Sequence, residues 1–139
     1  MKRLFVDTGA WYALIDRNDP DHKEAASFME NNKIPLLTTN FVFDETITLL
    51  QSRLGWNVAK EFGLKLKGSR FVSLISVRDE DEERAWEIFL KYKDKDFSYT
   101  DCTSFAVMQR LSCRKAFTFD NHFRQIGFEV VPDILPALE

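Results

Sequence analysis

Short apolar runs alternate along the chain with longer segments that have helical periodicity. The runs span three to five residues and are bounded by polar or turn-forming residues, which is typical of strands buried on both faces. The first run ends at Asp7, so a carboxylate directly follows a predicted buried strand. The predicted strands are residues 4–6, 34–37, 71–75, 116–119 and 128–131.

Between these strands, apolar positions recur every three or four residues, as on the buried face of an amphipathic helix. Asp19 and Pro20 provide the start signal of one helix, with Asp19 as the N-cap and Pro20 at the first helical position. The predicted helices are residues 8–15, 19–32, 40–54, 57–67, 79–92 and 100–111, with a helical turn at 122–126. In the helix over 79–92, the predicted core-facing side chains are Ala85, Trp86, Phe89 and Leu90.

The alternation of strands and helices predicts an α/β fold with a mostly parallel sheet covered on both faces. In such folds, ligands bind beyond the carboxyl ends of the strands. Asp7 and Asp120 each follow directly on a predicted strand, so both are expected at that edge of the sheet. The chain is predicted to form one domain over residues 1–139, a length that buries roughly two-thirds of the unfolded surface.

Composition and charge narrow the functional classes open to this chain. The hydrophobic fraction of 45% supports a packed core and argues against disorder. A net charge of −3 lacks the large basic field of a non-specific nucleic-acid-binding protein, but it is compatible with a nuclease that has an acidic metal site. No signal peptide or membrane-length apolar run is visible, and Cys102 and Cys113 fit no metal-ligand spacing. We therefore expect a soluble cytoplasmic protein with reduced cysteines.

Four carboxylates occur where the predicted fold would bring them to one edge of the sheet: Asp7, Glu45, Asp101 and Asp120. Taken singly, each has an ordinary explanation as a helix N-cap, a core-edge glutamate, a first-turn acid or a turn residue. Glu45 has apolar neighbours three and four residues away, whereas the neighbours of Asp44 four residues away are polar. Glu45 is therefore the better candidate of these two adjacent acids.

A cluster of four acids needs a counterion. Two carboxylates about 5 Å apart repel each other by roughly 3 kcal/mol at an effective dielectric constant near 20, so some are protonated or a divalent cation lies among them. Oxygen ligands favour Mg²⁺ or Mn²⁺ over zinc. His22 and His122 are far apart in the sequence and are interpreted as structural. A cation held by carboxylates activates a water and stabilises charge on a phosphodiester, which predicts a metal-dependent nuclease.

Four stretches of the sequence resemble the PIN-domain ribonucleases and, within that family, the VapC-type toxins of toxin–antitoxin pairs. They are LFVDTGAW at residues 4–11, FVFDETITLL at 41–50, FSYTDCTSFA at 97–106 and FTFDNHF at 117–123. Each stretch contains one of the four acids, and together they span nearly the whole chain in the order that the family has them.

This resemblance implies a small three-layer α/β/α sandwich that cleaves RNA with a Mg²⁺ or Mn²⁺ site and a metal-activated water. Carried over residue by residue, it makes Asp7 and Asp101 the main metal ligands, with Glu45 and Asp120 as completing or water-bridged ligands. The side chains that would orient these ligands are Thr8, Thr118 and Asn121. Because residue 121 is Asn, an acid that some relatives have near this point is missing, and the number of metal ions stays open.

The resemblance also implies partners beyond the RNA substrate. It predicts a homodimer and, for the toxins, a small antitoxin protein. The helices over residues 40–67 are the expected dimer or antitoxin surface. Trp56, which lies between them, is equally expected in the core.

Three other functions stay open on the sequence alone. The residues DTGA at 7–10 match the aspartic-protease signature, although those enzymes are all-β and share one proton between two carboxylates. A phosphoryl-accepting receiver domain also has acids at strand ends, but it needs a lysine after a late strand, and none follows in a convincing place. A catalytically degenerate PIN-like domain would bind RNA or a protein partner without cleaving.

Overall fold

Five parallel strands form the centre of the molecule, which a computed structural model describes over residues 2–133. The strands are β1 (Leu4–Val6), β2 (Leu36–Thr39), β3 (Val72–Ile75), β4 (Lys115–Phe117) and β5 (Glu129–Val131). Their order across the sheet is β3-β2-β1-β4-β5. β1 is therefore central, and Phe5 pairs with Leu37 on one side and with Ala116 on the other.

Helices cover both faces of this sheet. They are α1 (Thr8–Ile15), α2 (His22–Asn31), α3 (Asn40–Leu54), α4 (Trp56–Gly68), α5 (Asp79–Lys91), α6 (Tyr99–Arg110) and α7 (His122–Gln125). Because connections between parallel strands are right-handed, α1 to α4 lie on one face and α5 to α7 on the other. In agreement, α1 packs against α2 and α3, and α6 packs against α5 and α7. The predicted three-layer α/β/α sandwich is confirmed.

The core is built around β1, whose residues Leu4, Phe5 and Val6 are fully buried. Such a run has no polar face, which fits a central strand covered by helices on both sides. Phe123 of α7 lies 5.8 Å from Phe5 between ring centroids, and Phe105 of α6 lies 4.9 Å from Phe123. These contacts pack α6 and the start of α7 against β1, the strand that Asp7 follows.

Both cysteines are buried free thiols, Cys102 in α6 and Cys113 before β4. Burial raises the pKa of Cys102 to about 11, so its thiol stays protonated at neutral pH. Neither thiol is joined in a disulfide, as the sequence predicted. Within residues 2–133, no helix combines the length and the apolar character that crossing a membrane requires.

Several element boundaries differ from the sequence prediction, among them those of β2, which covers Leu36–Thr39 instead of residues 34–37. β4 ends at Phe117 instead of residue 119, so Asp120 lies three residues beyond the strand, in a turn. α2 begins at His22 instead of Asp19. The reason is that the Asp19 carboxylate accepts a hydrogen bond from the Asp21 N–H (3.0 Å), which stabilises a turn where a helix cap was predicted.

The buried face of α5 is not the predicted one. Ala85 faces the core as predicted, whereas three other predicted core residues are exposed: Trp86, Phe89 and Leu90. Ile88 and Asp81 are buried instead. Asp81 pairs with Arg110 of α6, and this contact selects the stripe at positions 81, 85 and 88 as the inner face. The prediction was wrong because it counted apolar side chains and gave no weight to a buried ion pair.

Asp81→Ala is expected to lower the free energy of unfolding by about 3 kcal/mol, because the Arg110 guanidinium would lose its partner in a partly buried site. Asp81 is 2% exposed and accepts hydrogen bonds from Arg110 at 2.8 and 2.9 Å. Urea denaturation followed by circular dichroism measures the change. The matched control is Glu80→Ala, because Glu80 pairs with Arg78 in an exposed ion pair and its loss should leave unfolding unchanged. Equal midpoints for both variants and the wild type would contradict this expectation.

Candidate active site

The carboxyl ends of β1 and β4 lie side by side where the strand order of the sheet reverses. The connections that leave these strands cross opposite faces and open a crevice, which is where ligands bind in sheets of this kind. A cavity of about 190 Å³ lies there, and we call it the acid cavity. Its lining residues are Asp7, Thr8, Gly9, Val42, Glu45, Thr100, Asp101, Ser104 and Asp120. All four acids singled out in the sequence therefore line one cavity.

Asp7 follows β1 directly and is the buried member of the four acids. Its Oδ1 accepts a hydrogen bond from the Ala10 N–H (2.9 Å), which caps α1, and its Oδ2 accepts one from the Thr118 hydroxyl (2.5 Å). Burial, and after it the negative charge of Asp120, raises the pKa of Asp7 from 3.8 to about 7. Full ionisation at neutral pH therefore requires a cation nearby.

Asp101 lies in the first turn of α6, where it forms a capping box with Ser98. The Ser98 N–H donates to Asp101 Oδ2 (3.1 Å), and the Asp101 N–H donates to the Ser98 hydroxyl (3.0 Å). Burial raises the pKa of Asp101, and the charge of Asp120 adds to this, while the Ser98 hydrogen bond acts in the opposite direction. Within residues 2–133 the hydrogen bonds to this carboxylate end on Oδ2, so Oδ1 is available to a ligand.

Asp120 and His122 complete a tight group with Asp101. The ring Nδ1 of His122 lies 2.7 Å from Asp101 Oδ2 and 3.9 Å from Asp120 Oδ2. One ligand atom from each of these three side chains lies within 4.8 Å of the other two. Asp120 is itself held in a turn, because its Oδ1 accepts a hydrogen bond from the His122 N–H (2.9 Å). This geometry places Asp120 among the groups that can reach a cation together with Asp101.

Glu45 reaches the acid cavity from α3, on the opposite face of the sheet from α6. It is exposed, and its neighbour on the inner side of the helix is the buried Val42. Asp44 does not line the acid cavity and lies along a wider groove beside it. The choice of Glu45 over Asp44 therefore agrees with the placement of both side chains.

The acid cavity has two features that fit a divalent cation. Burial and the negative charge of Asp120 raise the pKa of Asp7 to about 7, so its ionised form is unfavourable. A cation nearby would stabilise the ionised carboxylate. Thr8 lines the same cavity, and its Oγ1 atom is buried without a hydrogen-bond partner within the described part of the chain. Such an atom needs a polar group or water opposite it. The donors are mainly carboxylate oxygens, which suit Mg²⁺ or Mn²⁺.

The residues expected to orient the ligands have different placements. Thr8 lines the acid cavity, and Thr118 links two acids, since its hydroxyl donates to Asp7 and accepts from the Asp120 N–H (3.3 Å). Asn121 is exposed and does not line the cavity. Sequence reasoning assigned no site role to His122. Its position two residues after Asp120 indicates that it lies near the site. Its contact with Asp101 arises only from the packing of α6 and α7.

The chain is similar to known proteins of one family. The PIN domain family model matches residues 4–129. The 23S rRNA-specific endonuclease VapC20 of Mycobacterium tuberculosis is 35% identical over 131 residues, which are 94% of this chain and 99% of that relative. A VapC ribonuclease of Archaeoglobus fulgidus is 30% identical over 123 residues, covering 85% of this chain and 77% of that relative.

Solved structures give the same result. The crystal structure of M. tuberculosis VapC20, a sarcin-ricin loop cleaving toxin, superposes with a TM-score of 0.86 at 34% identity and covers 90% of this chain and 95% of that one. FitAcB from Neisseria gonorrhoeae superposes with a TM-score of 0.70 at 12% identity, over 91% of this chain and 95% of that one. The second match concerns the fold alone.

Proposed function

The chain belongs to the PIN-domain family, and on that premise we propose that it is a Mg²⁺- or Mn²⁺-dependent endoribonuclease, the toxin of a VapC-type toxin–antitoxin pair. The observation that carries the proposal is the acid cavity, which four carboxylates line at the crevice of the sheet. Its position and its acids fit the hydrolysis of phosphodiester bonds by a metal-assisted reaction. The whole chain over residues 1–139 acts as one nuclease domain.

Asp7 and Asp101 would hold the cation, and Glu45 and Asp120 would complete its coordination directly or through water. When bound, the cation neutralises charge on the scissile phosphodiester and activates the attacking water. The chain keeps these ligands oriented through hydrogen bonds, including the one from the Thr118 hydroxyl to Asp7 (2.5 Å). The buried Thr8 hydroxyl, which has no hydrogen-bond partner within residues 2–133, would bind a water there.

The substrate is RNA, and a groove beside the acid cavity offers room for it. This groove runs along α3, has a volume of about 790 Å³ and shares Thr8, Glu45 and Thr100 with the acid cavity. Nucleotides flanking the scissile bond would lie in it. The M. tuberculosis relative is a 23S rRNA-specific endonuclease, so 23S rRNA is the first target to test. A protein acting on such a substrate would work in the cytoplasm.

Purified wild-type protein is expected to cut RNA at discrete positions in the presence of Mn²⁺ and to lose this activity in EDTA. The substrates are total RNA and, in a separate reaction, intact ribosomes. Primer extension along 23S rRNA maps the cuts. Asp101→Asn, prepared in parallel, excludes a contaminating ribonuclease. Cleavage that persists in EDTA would overturn the metal mechanism. A wild type that binds RNA but cuts no more than Asp101→Asn would indicate a degenerate binding domain.

A homodimer and an antitoxin complex are part of this proposal, and two exposed apolar patches support it. The α4 patch contains Trp56, which is 62% exposed, and Leu64, and the ammonium of Lys60 lies 5.0 Å from the Trp56 ring centroid. The α5 patch contains Trp86 and Phe89, whose rings stack at 5.6 Å, and Leu90.

Charge distinguishes these two patches. α4 carries lysines at residues 60, 65 and 67 and one acid, Glu61, so two copies meeting there would bring mainly like charges together. α5 carries both signs next to its patch, Glu87 and Lys91 among them, which suits a self-complementary contact. We therefore assign the homodimer to the α5 patch and the antitoxin to the α4 patch.

Trp86→Lys is expected to convert the dimer into a monomer, because it places a charge in the centre of an apolar contact. Light scattering coupled to size-exclusion chromatography measures the mass. Trp56→Lys is the matched control, since the same change on the α4 patch should leave the dimer intact. A dimer that survives Trp86→Lys and dissociates with Trp56→Lys would reverse the assignment.

A further inference from the structure

We infer that His122 is a positioning residue, whose ring Nδ1–H holds the Asp101 carboxylate in the orientation that binds the cation. This inference rests on the proposed function, because it concerns the same acid cavity. The contact joins two elements that are far apart in the sequence, the start of α6 and the start of α7. Its distance of 2.7 Å between His122 Nδ1 and Asp101 Oδ2 is that of a charge-assisted hydrogen bond.

The hydrogen bond is directed at one oxygen of Asp101. Asp101 Oδ2 accepts from both the Ser98 N–H and His122 Nδ1, at 3.1 and 2.7 Å. Two donors on one carboxylate oxygen restrict rotation of the carboxylate about its terminal bond. They leave Oδ1 as the oxygen that faces a cation, and they assign the proton of the neutral imidazole to Nδ1.

The His122 ring is itself held in place. The backbone N–H of His122 donates to Asp120 Oδ1 (2.9 Å), and this hydrogen bond fixes the backbone at the start of α7. Phe97 packs edge-on against the ring at 5.5 Å between centroids, and Phe97 is in turn packed against the fully buried Phe105 at 5.0 Å. A side chain held by the core on one side and by a turn on the other can orient a ligand rigidly.

Loss of this hydrogen bond should weaken the cation site while the fold persists. Groups that hydrogen-bond a metal ligand typically contribute 10- to 100-fold to metal affinity. His122→Asn keeps an amide N–H close to the position of Nδ1, whereas His122→Gln moves its amide to the position of Nε2. These two variants therefore separate the hydrogen bond to Asp101 from a general need for a polar side chain.

Isothermal titration of the intact protein with Mn²⁺ tests the inference, with Asp101→Asn as the reference for a lost ligand. We expect His122→Gln to bind Mn²⁺ about 10- to 100-fold more weakly than the wild type. His122→Asn should recover most of this affinity. Melting temperatures of the metal-free variants, measured beside the titrations, should be similar, since a purely structural role would change stability and leave the Mn²⁺ affinity of the folded protein unchanged.

Three results would overturn the inference, and they are distinguishable. If Asp101→Asn loses Mn²⁺ binding but His122→Gln binds as the wild type does, the cation site stands and the role of His122 is wrong. If the wild type binds no Mn²⁺, or if Asp101→Asn binds it normally, the proposed cation site is wrong and the inference is lost with it. Equal loss in His122→Asn and His122→Gln would also contradict the assigned hydrogen bond.

Discussion

Asp7→Asn is expected to reduce RNA cleavage by about 10³-fold, since it removes a charged ligand that contributes several kcal/mol of transition-state stabilisation through the cation. The same substitution should raise the stability of the metal-free protein. Burial raises the pKa of Asp7 from 3.8 to about 7, so keeping it ionised in the folded chain costs on the order of 4 kcal/mol. Asn removes this cost and still accepts the hydrogen bond from the Ala10 N–H that caps α1.

Single-turnover cleavage in Mn²⁺ and thermal unfolding in EDTA measure the two effects together. Asp94→Asn is the matched control, because Asp94 is exposed and lines neither the acid cavity nor the groove along α3. It should cleave within about threefold of the wild type and melt at the same temperature. Activity lost together with the folded state would indicate a structural role for Asp7. Wild-type cleavage by Asp7→Asn would place the site elsewhere.

Mn²⁺ is expected to stabilise the protein much more at pH 8 than at pH 5.5. Asp7 has a folded-state pKa of about 7 and an ordinary value of 3.8, so the folded chain binds more protons than the unfolded chain between these values. The stabilisation that comes from proton binding by Asp7 is therefore full below about pH 4 and is lost as the pH rises through 7. Burial raises the pKa of Asp101 as well, in the same direction. A cation binds the ionised forms and competes with these protons.

Melting temperatures measured across this pH range, with EDTA or with Mn²⁺, test the linkage. At pH 8 and a Mn²⁺ concentration about 100 times its Kd, the cation should add roughly 2.7 kcal/mol, and at pH 5.5 only a small part of that. Asp7→Asn should flatten the pH dependence in EDTA, since it removes the group with the larger shift. An equal Mn²⁺ effect at both pH values would show that protons and the cation do not compete for these carboxylates.

Local sequence signals were sufficient for the elements of the fold. β1 was predicted with its bounds because a short apolar run bounded by polar residues is consistent with a buried strand. The helix predicted over residues 40–54 has these bounds in the structure, and it is followed by Gly55 with a φ of +99°, a conformation that glycine adopts without strain. The boundary of α2 was missed because Asp19 serves a turn as readily as a helix cap.

The sequence by itself determined the strands, the helices, the parallel sheet and the positions of the four acids, since hydrophobic periodicity and strand ends are local properties of the chain. Only the tertiary structure decided which side chains meet. The contact of His122 with Asp101 and the outward direction of Trp86 depend on how α5, α6 and α7 pack. These contacts and buried ion pairs join residues that are distant in the sequence. No local sequence pattern therefore specifies which residues meet.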